Sequence, residues 1–416
     1  MMKQIYAALE INDSEIRLIV GEFFNTRFNV IKEEITPFKG ISNFEIVDRV
    51  KTIEAIKNTI NNAAKMIGVN IERVLLVLPS VNFKRKNFKL NFETETGVVN
   101  YSDITKAYEK ALRVKIDDGY TLVNVVCNKY TVNGISYRRI PVREIAKTIS
   151  IDIDLLMIDQ QIAFNYVSIV EEAGINIMDI CVDTFAIAKE AALFEKTVDQ
   201  NIILIKAENQ TTTFGLIAKG KLMHSEVIYH GLSDLIDAVY VQHRLPVNQI
   251  AKLIKYNMVF DVEECSDNPI FVWNASDLRL SLSERQLVEL VKNNFDKYIK
   301  KICETSAPIL ESGKTSIILS GEAAKMNALN EALARNTNCE VVTYTPETIG
   351  ARDTSLSAVL GALYAFKDAL VITNSKLCSL DLLEYEKLMN RQTIDADGES
   401  LTKKIKNLFN QRKKEG

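Results

Sequence analysis

Three histidines, six cysteines and one tryptophan are all that 416 residues contain of these types. Cys127, Cys181, Cys265, Cys303, Cys339 and Cys378 form no close pair, so neither a disulfide framework nor a Cys-type zinc site is expected. They read as reduced, mostly buried thiols of a cytoplasmic protein. His224, His230 and His243 are too few and too spread for a metal or triad site. No apolar run approaches the ~18–20 residues that span a bilayer. The N-terminal MMKQIYAALEI lacks the charged segment, extended apolar core and small-residue cleavage site of a secretory leader. The formal net charge of −3 provides no footprint for nucleic acid. What remains is ordinary for a globular chain of two to four compact units: 47% apolar and 25% charged residues.

One more absence sits inside the most informative stretch, Leu204 to Leu222. The apolar runs Ile202–Ile205 and Phe214–Ala218 flank the polar Glu208-Asn209-Gln210-Thr211-Thr212, which predicts a hairpin with a polar turn. Such a turn can grip phosphate through its backbone N–H groups. Close backbone approach to an anion usually requires glycine, and this turn has none.

Taken in order, IYAALEI, IRLIVGEFF and RFNVI predict a three-stranded meander. Apolar residues at helical spacing from Val50 to Ile67 predict a helix stopped by Gly68, and Val74–Leu78 a strand buried on both faces. Beyond Val81, period-two segments flanking a helix from Ser102 to Val114 predict a separate small subdomain reaching to about Ile151. The basic run Lys84-Arg85-Lys86 reads as a solvated strand. Helices are expected at Asp159–Ala173, Thr184–Glu195, Leu232–His243, Val247–Lys255 and Ser283–Thr305, with strands at IMDICVD, SIILS and CEVVTY. Gly313-Lys314-Thr315 lacks the earlier glycine of a Walker A loop, because Pro308 stands in its place. The pattern is an α/β fold.

This order of elements resembles the actin-like (ribonuclease H-like) ATPase superfamily and, within it, the bacterial cell-division FtsA family. The resemblance rests on Gly40 with Ile46-Val47-Asp48, on Tyr130-Thr-Val-Asn-Gly134 followed by Pro141, on Gly220-Lys-Leu-Met-His224 with Val227-Ile228 and Gly231, and on Ile349-Gly-Ala-Arg352 with Leu360-Gly361. It implies a two-lobed fold. Residues 1–83 with 161–195 would form subdomain 1A, 84–160 an inserted 1C, 196–230 with 306–372 subdomain 2A, and 231–305 subdomain 2B. A linker would follow over 373–400 and an amphipathic membrane-targeting helix over 401–416.

The resemblance also marks where ATP and Mg²⁺ would sit: Asn12, Lys206, Thr211, Thr212, Lys255 and Gly321 are the candidate nucleotide-binding residues. The family's loops are altered there. Glu10-Ile11-Asn12-Asp13 replaces the first phosphate turn, and Lys206 to Thr213 replaces the second, without its glycines or carboxylates. Mg²⁺ needs hard carboxylate oxygens. Efficient ATP hydrolysis is therefore not expected, and nucleotide binding is open.

The tail offers a second site. Leu401, Ile405, Leu408 and Phe409 fall within an arc of about 100°, beside Lys403, Lys404, Lys406 and Arg412. This is the pattern of an in-plane anchor on an anionic membrane. Each basic residue there contributes ~1 kcal/mol. By family analogy the partners are the C-terminal peptide of FtsZ, docking near Asn294, Lys297 and Lys301, and further copies of the chain in a filament. The expected role is an adaptor tethering FtsZ to the inner face of the cell membrane at the division site. The alternatives are an actin-like scaffold of the pilus or secretion type, and a divergent actin-like ATPase.

Overall fold

The computed structural model describes residues 3–397 apart from 26, 198, 276 and 277, so the expected helix over 401–416 lies outside the described residues. Two five-stranded sheets carry the molecule, and they share one topology. In the first, the antiparallel meander Gln4–Ile11, Glu15–Phe24, Arg27–Pro37 continues through the parallel strands Arg73–Leu78 and Asn176–Val182. In the second, the meander Asn201–Ala207, Thr212–Ala218, Lys221–Ile228 continues through Thr315–Ser320 and Glu340–Thr343. Each lobe is thus one copy of the same α/β unit, with its first strand in the middle of the sheet. Central strands are buried on both faces, which is why Ile5–Leu9 and Ile202–Ile205 read as unbroken apolar runs.

Helices cover these sheets where caps and periodicity predict them. Asp48 caps the helix Arg49–Ile67 by accepting from the Lys51 N–H, and Gly68 ends it in the left-handed region at φ 84°. Glu284–Leu310 starts with a capping box made by Ser283 and Gln286. It buries Leu287, Val291, Phe295, Tyr298 and Ile302 in the second lobe's core. The inserted unit is a separate sheet, Lys84–Glu93, Thr148–Asp159, Tyr120–Val132 and Ile135–Tyr137 in spatial order, closed by the helix Tyr101–Leu112 over its own small core.

Two expectations change. Among the described residues, one helical segment, Thr354–Thr373, is long and apolar enough to span a bilayer. It is nevertheless a core helix: Val359, Leu360, Ala362 and Leu363 are buried in the first lobe. It packs so tightly on Asp183–Glu190 that a Cβ at Gly361 would lie 1.8 Å from the Ala186 carbonyl oxygen.

Of the stretch 373–400, expected as a linker, the part up to Met389 is largely folded onto the body. The Ser379 N–H donates to the Ile5 carbonyl, its hydroxyl accepts from the Ala7 N–H at 2.7 Å, and Leu380 bridges Ile71. Asp381 then caps the helix Leu382–Asp397, whose Tyr385 is buried and whose Leu388 lies over Gly68. The acidic composition masked an apolar face at helical spacing.

Candidate functional site

Because the lobes are copies, their first hairpins present equivalent turns, and the structure sets these turns against each other. Both close in the same way: the Asn12 N–H donates to the Glu15 carbonyl, and the Glu208 N–H to the Thr211 carbonyl. Across the gap, the Gln210 N–H donates to Asp13 Oδ2 at 2.6 Å. Two positions before each turn stand Glu10 and Lys206, which occupy equivalent places in the two copies and carry opposite charge.

The space between the hairpins is filled by ion pairs. Arg17, directly opposite Glu10 in the first hairpin, is fully buried. Its guanidinium grips Glu208 of the other lobe with both forks at 2.8 Å, reaches Glu10 at 3.2 Å and holds Glu15 through Nε at 2.6 Å. Lys206 Nζ returns the gesture from the second lobe, 2.5 Å from Glu10 Oε1 and 3.0 Å from Asp183 Oδ2. Asp183 starts the helix Asp183–Glu190, and its other oxygen is held by Ser80 Oγ and the Thr184 N–H. Bidentate, charge-assisted bonds of this kind are the strong class.

Electrostatics follow from this packing. Burial alone would lower the pKa of Lys206, but Asp183, Glu10 and Glu208 outweigh it and hold the ammonium charged. Burial likewise works against the charge of Arg17, and Glu208 and Glu15 overcome it. Asp13 goes the other way. Burial, then the negative charge of Glu208, push its carboxyl from 3.8 to about 6, against the Gln210 N–H. Four carboxylates (Glu10, Glu15, Asp183, Glu208) face two cations here, so the cluster is net negative before any ligand arrives.

The candidate nucleotide residues lie around the cleft, and most are already engaged or buried. Lys206 is committed to Glu10 and Asp183. Thr212 points into its own lobe, its hydroxyl donating to the His230 carbonyl or pairing with Tyr298 Oη at 2.7 Å. Thr211 is buried within the turn itself, and Lys255 pairs with Glu322. Gly321, at φ 91°, presses its Cα face on Ala207, where a Cβ would lie 2.4 Å from the carbonyl oxygen. Asn12 is buried, and no partner meets its Nδ2. Asp13 Oδ1 and Tyr166 Oη lack partners as well, a polar setting suited to buried water.

A metal–nucleotide does not fit this arrangement. Its phosphates would meet an excess of carboxylate, and the acids that would carry the cation already hold Arg17 and Lys206. A groove of about 870 Å³ opens elsewhere, between the inserted unit and the first lobe, lined by Tyr108, Cys127, Arg138, Asp179 and Ile372.

Sequence reasoning missed Arg17 and Asp183, and it placed Glu10 and Asp13 at the altered first turn without giving either a role. One signal was present: Glu10, Arg17 and Lys206 are charges set within otherwise apolar strands. In a buried strand a charge must be paired. On the expected partner surface, Asn294 is engaged, its amide donating to the Asp234 carbonyl at 2.8 Å, whereas Lys297 and Lys301 are exposed on the same helix.

No family model matches the chain. Among characterised proteins it is similar to the cell division protein FtsA of Bacillus subtilis, 22% identical over 378 residues, covering 88% of this chain and 85% of that one. FtsA of Staphylococcus epidermidis is 23% identical over 422 residues, covering 97% and 87%. Among solved structures, one chain of a PilM–PilN type IV pilus biogenesis complex superposes with a TM-score of 0.58 at 11% identity, covering 86% of this chain and 98% of that one. ADP-bound MreB5 of Spiroplasma citri gives 0.51 at 12% identity, covering 90% and 99%. At such identities the structural likeness shows the fold, which is actin-like.

Proposed function

From the premise that this chain is a divergent relative of FtsA on an actin-like fold, we propose that it is a cell-division adaptor that works without turning over ATP. The observation that carries this reading is the Arg17–Glu208 and Lys206–Glu10–Asp183 pairing across the cleft. In an actin-like ATPase the lobes are joined through a metal–nucleotide; in this chain, side chains join them. An adaptor needs shape and attachment rather than turnover.

Attachment would come from the tail, with Leu401, Ile405, Leu408 and Phe409 in the interface and Lys403, Lys404, Lys406 and Arg412 over anionic headgroups. A short helix of this size binds weakly on its own, and self-association into a filament would raise its hold through avidity. FtsZ is the proposed cargo, with Lys297 and Lys301 available on the exposed face of Glu284–Leu310 to meet an acidic peptide.

The test is co-sedimentation of FtsZ polymers with vesicles containing anionic lipid. Full-length protein is expected to carry FtsZ down equally with and without ATP, and a chain ending at Ser400 is expected to leave it in solution. Equal recruitment by both chains removes the anchor. Strict dependence on ATP removes the nucleotide-independent reading. An absence of FtsZ recruitment, with the vesicles still bound, turns the assignment toward an assembly scaffold of the pilus or secretion type.

A further inference from the structure

The point where Glu10, Asp183 and Lys206 meet has the form of a cation site whose cation belongs to the chain. Two carboxylates from separate elements of the first lobe converge on one buried spot, and carboxylate oxygens are the donor type from which hard divalent cations build part of their shell. Both acids are oriented by partners other than Lys206. Glu10 Oε2 accepts from Arg17 at 3.2 Å, and Asp183 Oδ1 accepts from Ser80 Oγ and from the Thr184 N–H at 2.7 Å. Lys206 enters this site from the other lobe, with its side chain only 4% exposed.

We propose that Lys206 is a tethered replacement for a divalent cation: its ammonium occupies the Glu10–Asp183 carboxylate site and fixes the lobes to each other permanently. The proposal rests on the nucleotide-independent reading above and adds the residue responsible for it. A free cation between these acids would belong to the first lobe alone and would need a phosphate to reach the second. Lys206 spans the gap by its own covalent attachment to the strand Asn201–Ala207. The ammonium supplies one charge where a divalent ion supplies two. Arg17 adds positive charge beside Glu10, shared with Glu208 and Glu15.

The consequence is a latent metal site. With the ammonium removed, Asp183 loses its counter-charge and Glu10 keeps only its share of Arg17, both in a buried place, and a divalent cation becomes the species that satisfies them. The experiment compares full-length wild-type protein with Lys206→Ala, using Mn²⁺ alone as probe and reading thermal unfolding and the Mn²⁺ electron paramagnetic resonance signal. Wild-type protein is expected to be indifferent to millimolar Mn²⁺. Lys206→Ala is expected to melt lower in its absence and to recover several degrees in its presence, as a ligand bound only by the folded state requires. Adding Asp183→Asn to the variant is expected to abolish the recovery. Lys206→Gln, neutral and one atom shorter, serves as the second variant.

Folded variants that take up no Mn²⁺ overturn the proposal. So does the failure of both variants to fold with Mn²⁺ supplied, because the ion would then not replace the ammonium. Hydrogen exchange of wild-type amides 208–211 with and without Mg-ATP separates the two levels of the argument. New protection there defeats the nucleotide-independent reading itself, whereas indifference alongside a variant that ignores Mn²⁺ defeats only the tethered cation.

Discussion

Two charge clusters built from the same residue types adjoin each other at the cleft, and they behave as different materials. In the inner one, the side chains of Glu10, Arg17, Asp183, Lys206 and Glu208 are 0–4% exposed. In the outer one, Lys255, Glu322, Lys325 and Asp353 are 12–30% exposed. A single bond joins them, from the Glu322 N–H to Glu208 Oε2 at 3.3 Å. Water reaches the outer pairs in part and screens them more than the inner ones. The inner pairs have left water, so each charge depends on a specific partner, and most of those partners lie across the cleft. The lesson is that ion pairs of similar length differ in how much they hold, according to how completely water has left them.

The largest effect that can break this contrast is expected from Arg17→Ala. It strips Glu208 of its buried partner and leaves Glu10 and Glu15 short of charge. Removing one member of a buried ion pair costs about 3–5 kcal/mol, and urea unfolding should read that loss in full. Pairing Arg17→Met with Glu208→Leu is expected to recover much of it, since the uncompensated charge, not the missing pair, causes the damage. A loss below about 1 kcal/mol for the single variant would mean that the inner cluster is solvated like the outer one.

Asp13→Asn probes the excess negative charge. The native carboxyl titrates at about 6 against 3.8 unfolded, so between these values the folded state holds the proton more tightly. Native stability therefore falls as pH rises through this window, and the loss persists above about 6. The amide cannot ionise, and its oxygen can still accept from the Gln210 N–H. The variant is expected to gain up to about 3 kcal/mol at neutral pH relative to wild type. The gain should shrink toward zero as pH falls to the unfolded value. A gain independent of pH would show that burial and Glu208 together do not raise the Asp13 carboxyl.

Lys325→Ala stands at the small end. Its pairs with Glu322 and Asp353, at 2.6 and 2.7 Å, are as short as those of the inner cluster. The expected loss is nevertheless no more than about 1 kcal/mol, measured by the same urea titration and diminished further by salt. An effect comparable to that of Arg17→Ala would erase the distinction between the clusters.

Much of the fold was legible in the sequence because it is local. Apolar runs such as Ile202–Ile205, the stop at Gly68 and the period-two segments of the inserted unit each depend on neighbours a few residues away. The alteration of both hairpin turns was legible for the same reason. Their content was not. Glu208 reads only as the start of a polar turn until Arg17 is found on it, 191 residues distant in sequence. The stretch beyond Thr373 failed differently: Tyr385 and Leu388 supply an apolar face, but acidic neighbours hid it until Ser379 and Leu380 were seen docked on the first lobe.

By itself, then, the sequence determined the α/β periodicity, the inserted unit and the loss of glycine from the second turn, all properties of short windows. Only the tertiary structure decided that Glu10 and Lys206 meet as counter-charges across the cleft, and that Asp183 and Arg17 complete them. The reason is physical. Periodicity is set by backbone geometry within a few residues, whereas the fate of a charge is set by what surrounds it once water is gone, and that depends on two lobes closing face to face.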